Sequence, residues 1–449
     1  MELPEWVKKY KQPNTEIKVL KGHYYLYNHT SVWCPEKKRT KKITTGYVGV
    51  ITQEFGLVPK GMSRRGRIPQ GESRLKDTQP ETSFMDTFEK IDDPRAERNK
   101  LYSVYEILLV TFLSVICGAE GWIDVENFGR AKINYLRRFS AFINGVPSDD
   151  TFRRFFRSLD IEQFKAMFRE WVQSLAKTVD AKVIAIDGKS SRRSYDGDGN
   201  MLHMVSAFAS EARIVLGQEK VSEKSNEITA IPKLLNWLDI KGHIVTIDAM
   251  GCQYSIANQI VEKGGDYIFS LKGNQGTLSD DVELYFKDSF VKNELKTHID
   301  YDKGHGRIET RKCLVAHDVA WLRDLHPNWK TIQSIILIEA SAESKGKKRE
   351  ETRYFISSLK EPEAEKVQKS IRLHWGIENT LHWILDMSFN EDYSRIRKGN
   401  APEIMAIIRH FALNLLQQNK PPRQSIKGLR KLCSWDETVL EKIITGKSS

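Results

Sequence analysis

The chain has 449 residues, of which 40% are hydrophobic and 29% are charged. This composition excludes wholesale disorder, and the length exceeds what one hydrophobic core normally supports, so we expect two or more domains. Lys and Arg number 70 against 59 Asp and Glu, which gives a formal net charge of +11. A basic balance favours a polyanionic partner such as nucleic acid, although a basic but unspecialised surface explains the charge equally well.

Cysteine usage and apolar runs indicate the cellular compartment. The five cysteines lie far apart without a C-x-x-C pair, which argues against a disulfide framework and a structural zinc site and indicates a reduced, cytoplasmic setting. The N-terminus lacks the basic and apolar regions of a signal peptide. The longest apolar run, from Leu108 to Cys117, is too short for a membrane span and is predicted to be a buried helix.

Residues 1–82 are predicted to form a small basic β-hairpin module and a linker. Segments 21–28 and 41–52 have the aromatic and β-branched residues of strands, and a basic turn joins them. Tyrosines interleaved with basic residues suit a hairpin that contacts DNA, and an aromatic-cored hairpin with solvated lysines is an equally good interpretation. Residues 60–83 lack periodicity, which predicts a basic linker.

Residues 83–178 have helical periodicity and are predicted to form a helical, DNA-binding domain. One apolar helix is expected from Tyr102 to Gly118, and Asp160 has the position of a helix cap. Three arginines of this segment could face phosphate, but a solvated basic helix face is the commoner case. They are Arg153, Arg154 and Arg157.

From residue 179 the pattern changes to short apolar strands. Three strands over 182–187, 203–209 and 213–218 are followed by alternating helices and strands, which predicts a mixed α/β layer. Residues 279–360 interrupt the alternation and are predicted to be a β-rich insertion. The α/β domain therefore comprises 179–278 and 361–416, and residues 417–449 are expected to be a basic C-terminal tail.

Two aspartates end buried strands of this layer, Asp187 after an Ile/Val-rich run and Asp248 after a second one. Buried strands rarely end in a carboxylate unless it is solvated, caps a turn or binds a cation. Asp187 followed by glycine is a weak signal alone, because Asp-Gly is favourable turn chemistry. Two such strand ends in one sheet are more informative, since ligands of open α/β sheets bind beyond the carboxyl ends of the strands.

A third carboxylate, Glu378, lies on a helix predicted from about residue 362 to 387. Helical spacing places Glu378 on an apolar face, so its charge needs compensation. A divalent cation shared with the two aspartates would provide it, and a structural ion pair with Arg372 or a nearby histidine explains the spacing at least as well. Asp386 is the chief rival as third ligand, and Trp375 and Trp383 are expected in the core.

Three carboxylates without Cys or His clustering suit Mg²⁺ or Mn²⁺ and not zinc. Two such ions about 4 Å apart can activate an attacking hydroxyl and stabilise the leaving oxygen of an in-line phosphoryl displacement. In that arrangement Asp187 bridges both ions, while Asp248 and Glu378 each hold one.

The motifs around these carboxylates resemble D-D-E transposases of bacterial insertion sequences, in particular the type that includes the H-repeat-associated (ISAs-type) proteins. The resemblance extends from about residue 83 to beyond residue 416. Residues 1–80 lie outside it and look like the short N-terminal module of other insertion-sequence transposases. The motifs that carry the resemblance are Ala185-Ile-Asp-Gly-Lys-Ser, Glu223-Lys-Ser-Asn-Glu-Ile-Thr-Ala-Ile-Pro, Thr246-Ile-Asp-Ala-Met-Gly-Cys-Gln, Leu271-Lys-Gly-Asn-Gln, His374-Trp-Gly-Ile-Glu-Asn and Asp392-Tyr-Ser-Arg-Ile-Arg-Lys-Gly-Asn-Ala-Pro-Glu.

The resemblance implies a ribonuclease-H-like mixed sheet with a β-rich insertion before the last catalytic residue. It implies that Asp187, Asp248 and Glu378 are catalytic and bind Mg²⁺ or Mn²⁺, with two ions per site. The implied reaction is cleavage at the ends of an insertion sequence and transfer of the 3′-hydroxyl into target DNA. The implied partners are double-stranded DNA with terminal inverted repeats, target DNA and a second copy of the chain, in the cytoplasm at the nucleoid.

The sequence departs from related transposases beside Glu378. Those proteins often carry a Tyr, an Arg and a Lys where this chain has Ile371, His374 and Leu385. We therefore expect the helper roles to pass to other residues, namely Arg372, His374, Arg395, Arg397 and Lys398. Lys189, Lys272 and Asn274 follow strand ends near the proposed metals and are expected to position phosphate, with ordinary polar loop residues as the alternative. His305 and Arg307 lie in a polar turn of the insertion that matches the family, and we expect a DNA contact there, with a simple hairpin tip as the alternative.

Two further functions remain open at the level of sequence. One is a catalytically inactive, DNA-binding descendant of a transposase, which the presence of all three carboxylates argues against. The other is a ribonuclease-H-like nuclease or resolvase, which would cleave structured DNA without joining ends.

Overall fold

The computed structural model describes residues 3–20, 23–34, 39–52, 56–59, 84–97, 100–176, 181–195, 199–222, 226–304, 307–344 and 347–445. The chain divides into two compact units. The first comprises Met1–Thr78, Asp92–Ser114 and Trp122–Phe155, and the second comprises Gln79–Ile91, Val115–Gly121 and Phe156–Ser449.

The first unit contains a four-stranded antiparallel sheet in the order β1-β2-β3-β4. Leu26 and Ile51 of this sheet are buried against Val7 of the first helix, and the buried Tyr25 donates a hydrogen bond to Asn144 Oδ1 at 2.7 Å. The predicted hairpin is confirmed, whereas its tip at 35–38 and the predicted linker at 60–83 lie outside the described residues. The elements are α1 (Glu5–Lys8), β1 (Thr15–Leu20), β2 (His23–Cys34), β3 (Arg39–Thr52) and β4 (Gly56–Pro59).

The next part of the chain is helical, as predicted. The run from Ile107 to Leu113 is buried, and no helix in the described ranges is long and apolar enough to cross a membrane. Asp160 caps the last helix, since its Oδ1 accepts hydrogen bonds from the backbone of Glu162 and Gln163 at 2.8 and 3.3 Å. The elements are a 3₁₀ turn (Phe84–Lys90), α2 (Val104–Ile116), α3 (Trp122–Ala131), α4 (Ile133–Leu136), α5 (Asp149–Ser158) and α6 (Ile161–Ala176).

The second unit is built on a nine-stranded mixed sheet. Its order is β10-β11-β12-β13-β9-β8-β5-β6-β7, in which β5, β8 and β9 are parallel and the other pairs are antiparallel. The mixed α/β layer predicted from the sequence is thus confirmed. The strands are β5 (Val183–Ser190), β6 (His203–Ala209), β7 (Ile214–Lys220), β8 (Ile244–Ile247), β9 (Asp266–Leu271), β10 (Lys296–Gly304), β11 (Arg307–Ala316), β12 (Ser334–Ser344) and β13 (Lys347–Ser357).

Strands β10 to β13 come from the segment predicted as a β-rich insertion. They form an antiparallel meander that continues the main sheet, because β13 pairs with β9 and aligns Ser357 with Ile268. The segment 279–360 also contains helices, so it is not built from strands alone. The domain boundaries inferred from the sequence stay predictions.

Helices cover both faces of the sheet. The even-numbered apolar residues of β5, such as Ile184 and Ile186, pack with α7, α8 and α9, whereas Val183 packs on the other face with α12. Since side chains alternate along a strand, Asp187 belongs to the α12 face with Val183. The helices are α7 (Glu227–Trp237), α8 (Tyr254–Glu262), α9 (Thr277–Lys287), α10 (Ser289–Glu294), α11 (Ala320–Leu325), α12 (Ala364–Gly376), α13 (Trp383–Phe389), α14 (Ala401–Gln418), α15 (Ile426–Trp435) and α16 (Glu437–Thr445).

Two sequence-based expectations about this helical part are corrected. Residues 417–449, expected to be a basic tail, contain α15 and α16, whose apolar residues such as Leu429 and Leu440 are buried. Their amphipathic spacing outweighs the basic composition. Trp375 and Trp383 were expected in the core but are 39% and 58% exposed.

Candidate active site

Asp187 and Asp248 lie at the same edge of the sheet. Strands β5 and β8 run parallel, and Ile186 of β5 lies beside Ile247 of β8. An aspartate follows each of these isoleucines, so Asp187 and Asp248 occupy neighbouring positions. Both aspartates follow the alternation toward the α12 face. Asp248 ends its strand in a turn, in which its Oδ1 accepts hydrogen bonds from the backbone of Met250 and Gly251 at 3.0 and 3.3 Å.

The electrostatic surroundings of Asp187 are negative. Burial raises the pKa of Asp187 to about 7; the Gly188 backbone N–H opposes the shift, and the charges of Asp248, Glu227 and Glu378 add to it. The Nδ1 atom of His382 lies 3.7 Å from Asp187 Oδ2. Burial lowers the pKa of His382 to about 3, so this imidazole is neutral at pH 7 and supplies no positive charge.

Glu378 lies on a helix that is not regular. Between α12 and α13, residues Ile377–His382 form a π-helical segment, and Glu378 is its second residue. Single π-helical turns occur frequently at functional sites. The side chain of Glu378 is exposed, which differs from the expectation of a partly buried glutamate on an apolar helix face. A π-helix has more residues per turn than an α-helix, so the side chains in this segment point in other directions than the regular α-helix assumed for the expectation would give them.

A cleft of about 470 Å³ joins the second and third carboxylates. Asp248, Glu378, Lys272 and His374 are among its lining residues, together with the exposed Trp375. Asp187, Asp248 and Glu378 therefore belong to one region of the molecule. Within the described ranges, however, no three His, Cys, Asp or Glu side chains form a ready-made ion site.

Lys189 takes part in a buried ion cluster. Its side chain is 9% exposed, and its Nζ lies 2.7 Å from Asp386 Oδ1, 3.1 Å from Asp392 Oδ1 and 3.6 Å from Glu391 Oε2. Burial lowers the pKa of Lys189, but these carboxylates outweigh it and the net pKa is raised. The ammonium group for which we predicted a DNA contact is thus paired with protein. Asp386, the rival third ligand, faces Lys189.

Three further residues that were predicted to contact DNA form hydrogen bonds or ion pairs with other residues of the protein. His374 Nδ1 lies 3.0 Å from Thr246 Oγ1 and links α12 to β8, and burial lowers its pKa to about 4 although Asp248 opposes the shift. It is therefore neutral at pH 7. The amide of Asn274 donates to the carbonyl of Ala249 at 2.7 Å and holds the loop after Asp248. Arg372 forms an ion pair with Asp300 at 2.7 Å.

The remaining DNA-contact candidates are exposed or incompletely described. Lys272, Arg395 and Lys398 are exposed, and Arg397 donates to the carbonyl of Arg193 at 3.1 and 2.9 Å. His305 and the side chain of Arg307 lie outside the described residues. The DNA contacts of these residues stay predictions.

Sequence reasoning missed one group near Asp187. His203 Nε2 lies 2.8 Å from Glu227 Oε1, and its Nδ1 lies 2.6 Å from Ser190 Oγ. The three residues come from β6, α7 and β5. A signal was present in the motif Glu223-Lys-Ser-Asn-Glu227, but its carboxylates had no assigned role.

Comparison with known proteins identifies the family. The family model described as "Transposase DDE domain" matches residues 176–415, more than half of the chain. The chain belongs to the DDE transposase family. The model described as "DDE_Tnp_1-associated" matches residues 85–172, within the helical region of this transposase.

Curated relatives agree with the family. The putative transposase YncI of Escherichia coli O157:H7 is 39% identical over 380 residues, which cover 82% of this chain and 95% of that protein. The H repeat-associated putative transposase YhhI of E. coli K12 is 39% identical over 374 residues, covering 81% and 98%. The inactive transposase YbfQ of E. coli K12 is 40% identical over 62 residues, covering 14% of this transposase and 74% of the relative. The resemblance to insertion-sequence transposases is therefore confirmed.

This transposase is also similar to a solved structure. It is the cryo-EM structure of the piggyBac transposase synaptic complex with hairpin DNA, with 11% identity, a TM-score of 0.37, and coverage of 78% of this chain and 75% of that chain.

Proposed function

We propose that this transposase catalyses metal-dependent cleavage at insertion-sequence ends and transfers the 3′-hydroxyl into target DNA. Asp187, Asp248 and Glu378 are the proposed catalytic residues. The observation that carries the proposal is the register of β5 and β8, which brings Asp187 and Asp248 side by side in a DDE-family chain. Glu378 lines the same cleft as Asp248 and contributes to the raised pKa of Asp187.

We infer a ribonuclease-H-like core for the second unit. The antiparallel meander β5-β6-β7, followed by β8 and β9 added parallel on the other side of β5, supports this assignment. In this interpretation 179–278 and 361–416 are the catalytic domain, 279–360 is the insertion, and 83–178 binds DNA. Residues 1–82 are proposed to add contacts to DNA.

The donor chemistry fits a divalent cation. Carboxylate oxygens are the ligands that Mg²⁺ and Mn²⁺ prefer, and the acidic neighbours that raise the pKa of Asp187 leave a negative charge that a cation would compensate. Asp187, Asp248 and Glu378 would hold the ions. When bound, such ions activate a hydroxyl and stabilise the leaving oxygen of an in-line displacement.

The surrounding residues orient these carboxylates. The backbone N–H groups of Met250 and Gly251 fix the Asp248 carboxylate, and the bond between Thr246 and His374 fastens its strand to α12. A neutral His374 can accept or donate this bond without placing a positive charge beside the ions. Such supporting bonds typically change metal affinity or activity by about 10- to 100-fold.

The test of function uses a supercoiled plasmid carrying the genomic sequences that flank the gene. With Mg²⁺ or Mn²⁺, we expect nicks at the ends of inverted repeats and joined products in a second plasmid. Tight DNA binding without cleavage would favour the inactive descendant. Cleavage without joining, on branched as well as linear DNA, would favour a nuclease or resolvase.

We predict that Glu378→Gln abolishes cleavage and strand transfer while binding to end DNA persists. Glutamine keeps the shape of the side chain but removes the charge that a divalent ion requires. Gel assays of cleavage and fluorescence anisotropy of DNA binding measure the two properties. Full activity of this variant would exclude Glu378 as third ligand.

Asp386→Asn is the matched comparison for Glu378→Gln. Because Asp386 pairs with Lys189 at 2.7 Å, we expect this variant to be less stable but to retain measurable Mg²⁺-dependent cleavage. An inactive but stably folded Asp386→Asn, together with an active Glu378→Gln, would transfer the ligand role to Asp386.

We predict that Lys272→Gln weakens DNA binding uniformly across sequences. Lys272 is exposed in the cleft that contains Asp248 and Glu378, where it can neutralise a phosphate. Each lost phosphate contact should reduce the slope of log K against log salt by about 1. The control is Lys241→Gln, an exposed lysine before β8 at the opposite end of the strand from Asp248. An unchanged slope for Lys272→Gln would contradict the contact.

We also propose that the transposase acts as a homodimer on DNA. Two ends must be held together before they are joined to one target, and a second copy of the chain supplies the second site. Mass measurement of the complex with end DNA tests this, with two protein chains expected per pair of ends.

A further inference from the structure

The side chains of Glu227, His203 and Ser190 form a chain of hydrogen bonds at the end of β5. Glu227 Oε1 lies 2.8 Å from His203 Nε2, and His203 Nδ1 lies 2.6 Å from Ser190 Oγ. Glu227 is the first residue of α7, and His203 is the first residue of β6, opposite Ser190. The imidazole thus holds the glutamate in a fixed position.

This carboxylate lies directly against the residue after Asp187. A Cβ atom built at Gly188 would overlap the carboxylate of Glu227 and would lie 2.7 Å from His203 Nε2. Only glycine leaves room for this approach at residue 188. Beyond Ile186 the strand β5 is no longer paired with β8, so a group on the α7 side can reach the end of the sheet where Asp187 lies.

The Glu227 carboxylate is largely shielded from solvent. The Glu227 side chain is 12% exposed, and in the described parts of the chain its polar side-chain partner is His203. A shielded carboxylate held by an imidazole, and not by Lys or Arg, keeps much of its charge available to a cation.

We infer that Glu227 is a fourth carboxylate of the ion-binding cluster around Asp187, positioned by His203 and Ser190. This inference rests on the proposed function, because it adds a residue to the proposed metal site. The competing explanation is a structural hydrogen bond that only fastens α7 to β6. The two explanations differ in metal affinity, which a structural bond would leave unchanged.

Titration of the full chain with Mn²⁺, followed by the electron paramagnetic resonance signal of free Mn²⁺, tests the inference without DNA or catalysis. We expect Glu227→Gln to raise the Kd for Mn²⁺ by about 10-fold or more. His203→Gln should raise it in the same direction by a smaller factor. The matched control is Glu262→Gln, an exposed glutamate on α8, which should bind Mn²⁺ like the unmodified chain.

Asp187→Asn separates this inference from the proposed function. Loss of Mn²⁺ binding in Asp187→Asn with unchanged binding in Glu227→Gln would overturn the role of Glu227 and leave the proposed site intact. Unchanged binding in Asp187→Asn would overturn both. Chemical unfolding in chelator serves as the folding control: a lower midpoint for Glu227→Gln with an unchanged Kd identifies the structural bond.

Discussion

Replacing Asp187 by Asn is expected to abolish DNA cleavage. Asparagine preserves the shape of the side chain but removes the charge at the centre of the proposed site. If the bound ions supply on the order of 4 kcal/mol of transition-state stabilisation, the cleavage rate falls by about 10³-fold. Single-turnover cleavage of end DNA measures this loss, and anisotropy should show unchanged DNA binding. The control is Asp239→Asn, an exposed aspartate before β8, which should cleave normally.

The same variant should remove a pH dependence of stability in the metal-free protein. The folded pKa of Asp187 is raised from 3.8 to about 7, so between these values the folded state holds a proton that the unfolded state has lost. The free energy of unfolding from this group therefore decreases as pH rises from about 4 to 7. Unfolding in chelator at pH 5 and pH 8 should show a smaller decrease for Asp187→Asn. An identical decrease in both proteins would contradict the raised pKa.

Replacing Lys189 by Met is expected to be the most destabilising of the substitutions considered. Methionine leaves the carboxylates of Asp386, Glu391 and Asp392 without the buried ammonium group that lies 2.7 to 3.6 Å from them. Removing one partner of a buried ion pair typically costs about 3–5 kcal/mol of unfolding free energy. Chemical denaturation measures the loss. An exposed control, Lys241→Met, should change stability by no more than about 0.5 kcal/mol.

A second substitution identifies the cause of the Lys189 effect. In Lys189→Met with Asp386→Asn, the carboxylate that lies nearest to the lost ammonium group is also removed, so the double variant should be more stable than additivity predicts. Additive losses would mean that Lys189 acts through packing and not through charge. Because Lys189 connects β5 to α13, the Lys189→Met variant should also cleave DNA more slowly under conditions in which it is still folded.

The sequence predicted the strands that hold the aspartates, because each contains a short apolar run that is followed by a carboxylate, although β5 was expected to end at Asp187 and continues to Ser190. Their parallel pairing explains why this was sufficient for Asp187 and Asp248. The sequence did not predict how β10 to β13 pair. The register between strands that lie far apart in the chain depends on tertiary packing. The same pattern of apolar residues is compatible with strands that form a separate layer and with strands that extend the main sheet.

The helix of Glu378 shows a different limit of sequence reasoning. Assigning residues to helix faces assumes a constant 3.6 residues per turn, and the π-helical segment Ile377–His382 violates this assumption. Trp383, which follows this segment, was assigned to the core and is exposed, as is Trp375, which precedes it. The ion pairs of Lys189 could not be predicted from the sequence either, because Asp386, Glu391 and Asp392 are about 200 residues away from it in the chain.

The continuation of the sheet has a consequence during synthesis of the chain. The outer edge of β9 is covered by β13, which leaves the ribosome some 80 residues after it. Until then β9 presents unpaired backbone groups to other strands, and chaperones or neighbouring segments must protect it from aggregation. Glu378 is translated later still. A chain that terminates between Asp248 and Glu378 therefore carries both aspartates but lacks Glu378, so gene copies truncated in this interval are expected to yield proteins unable to cut DNA.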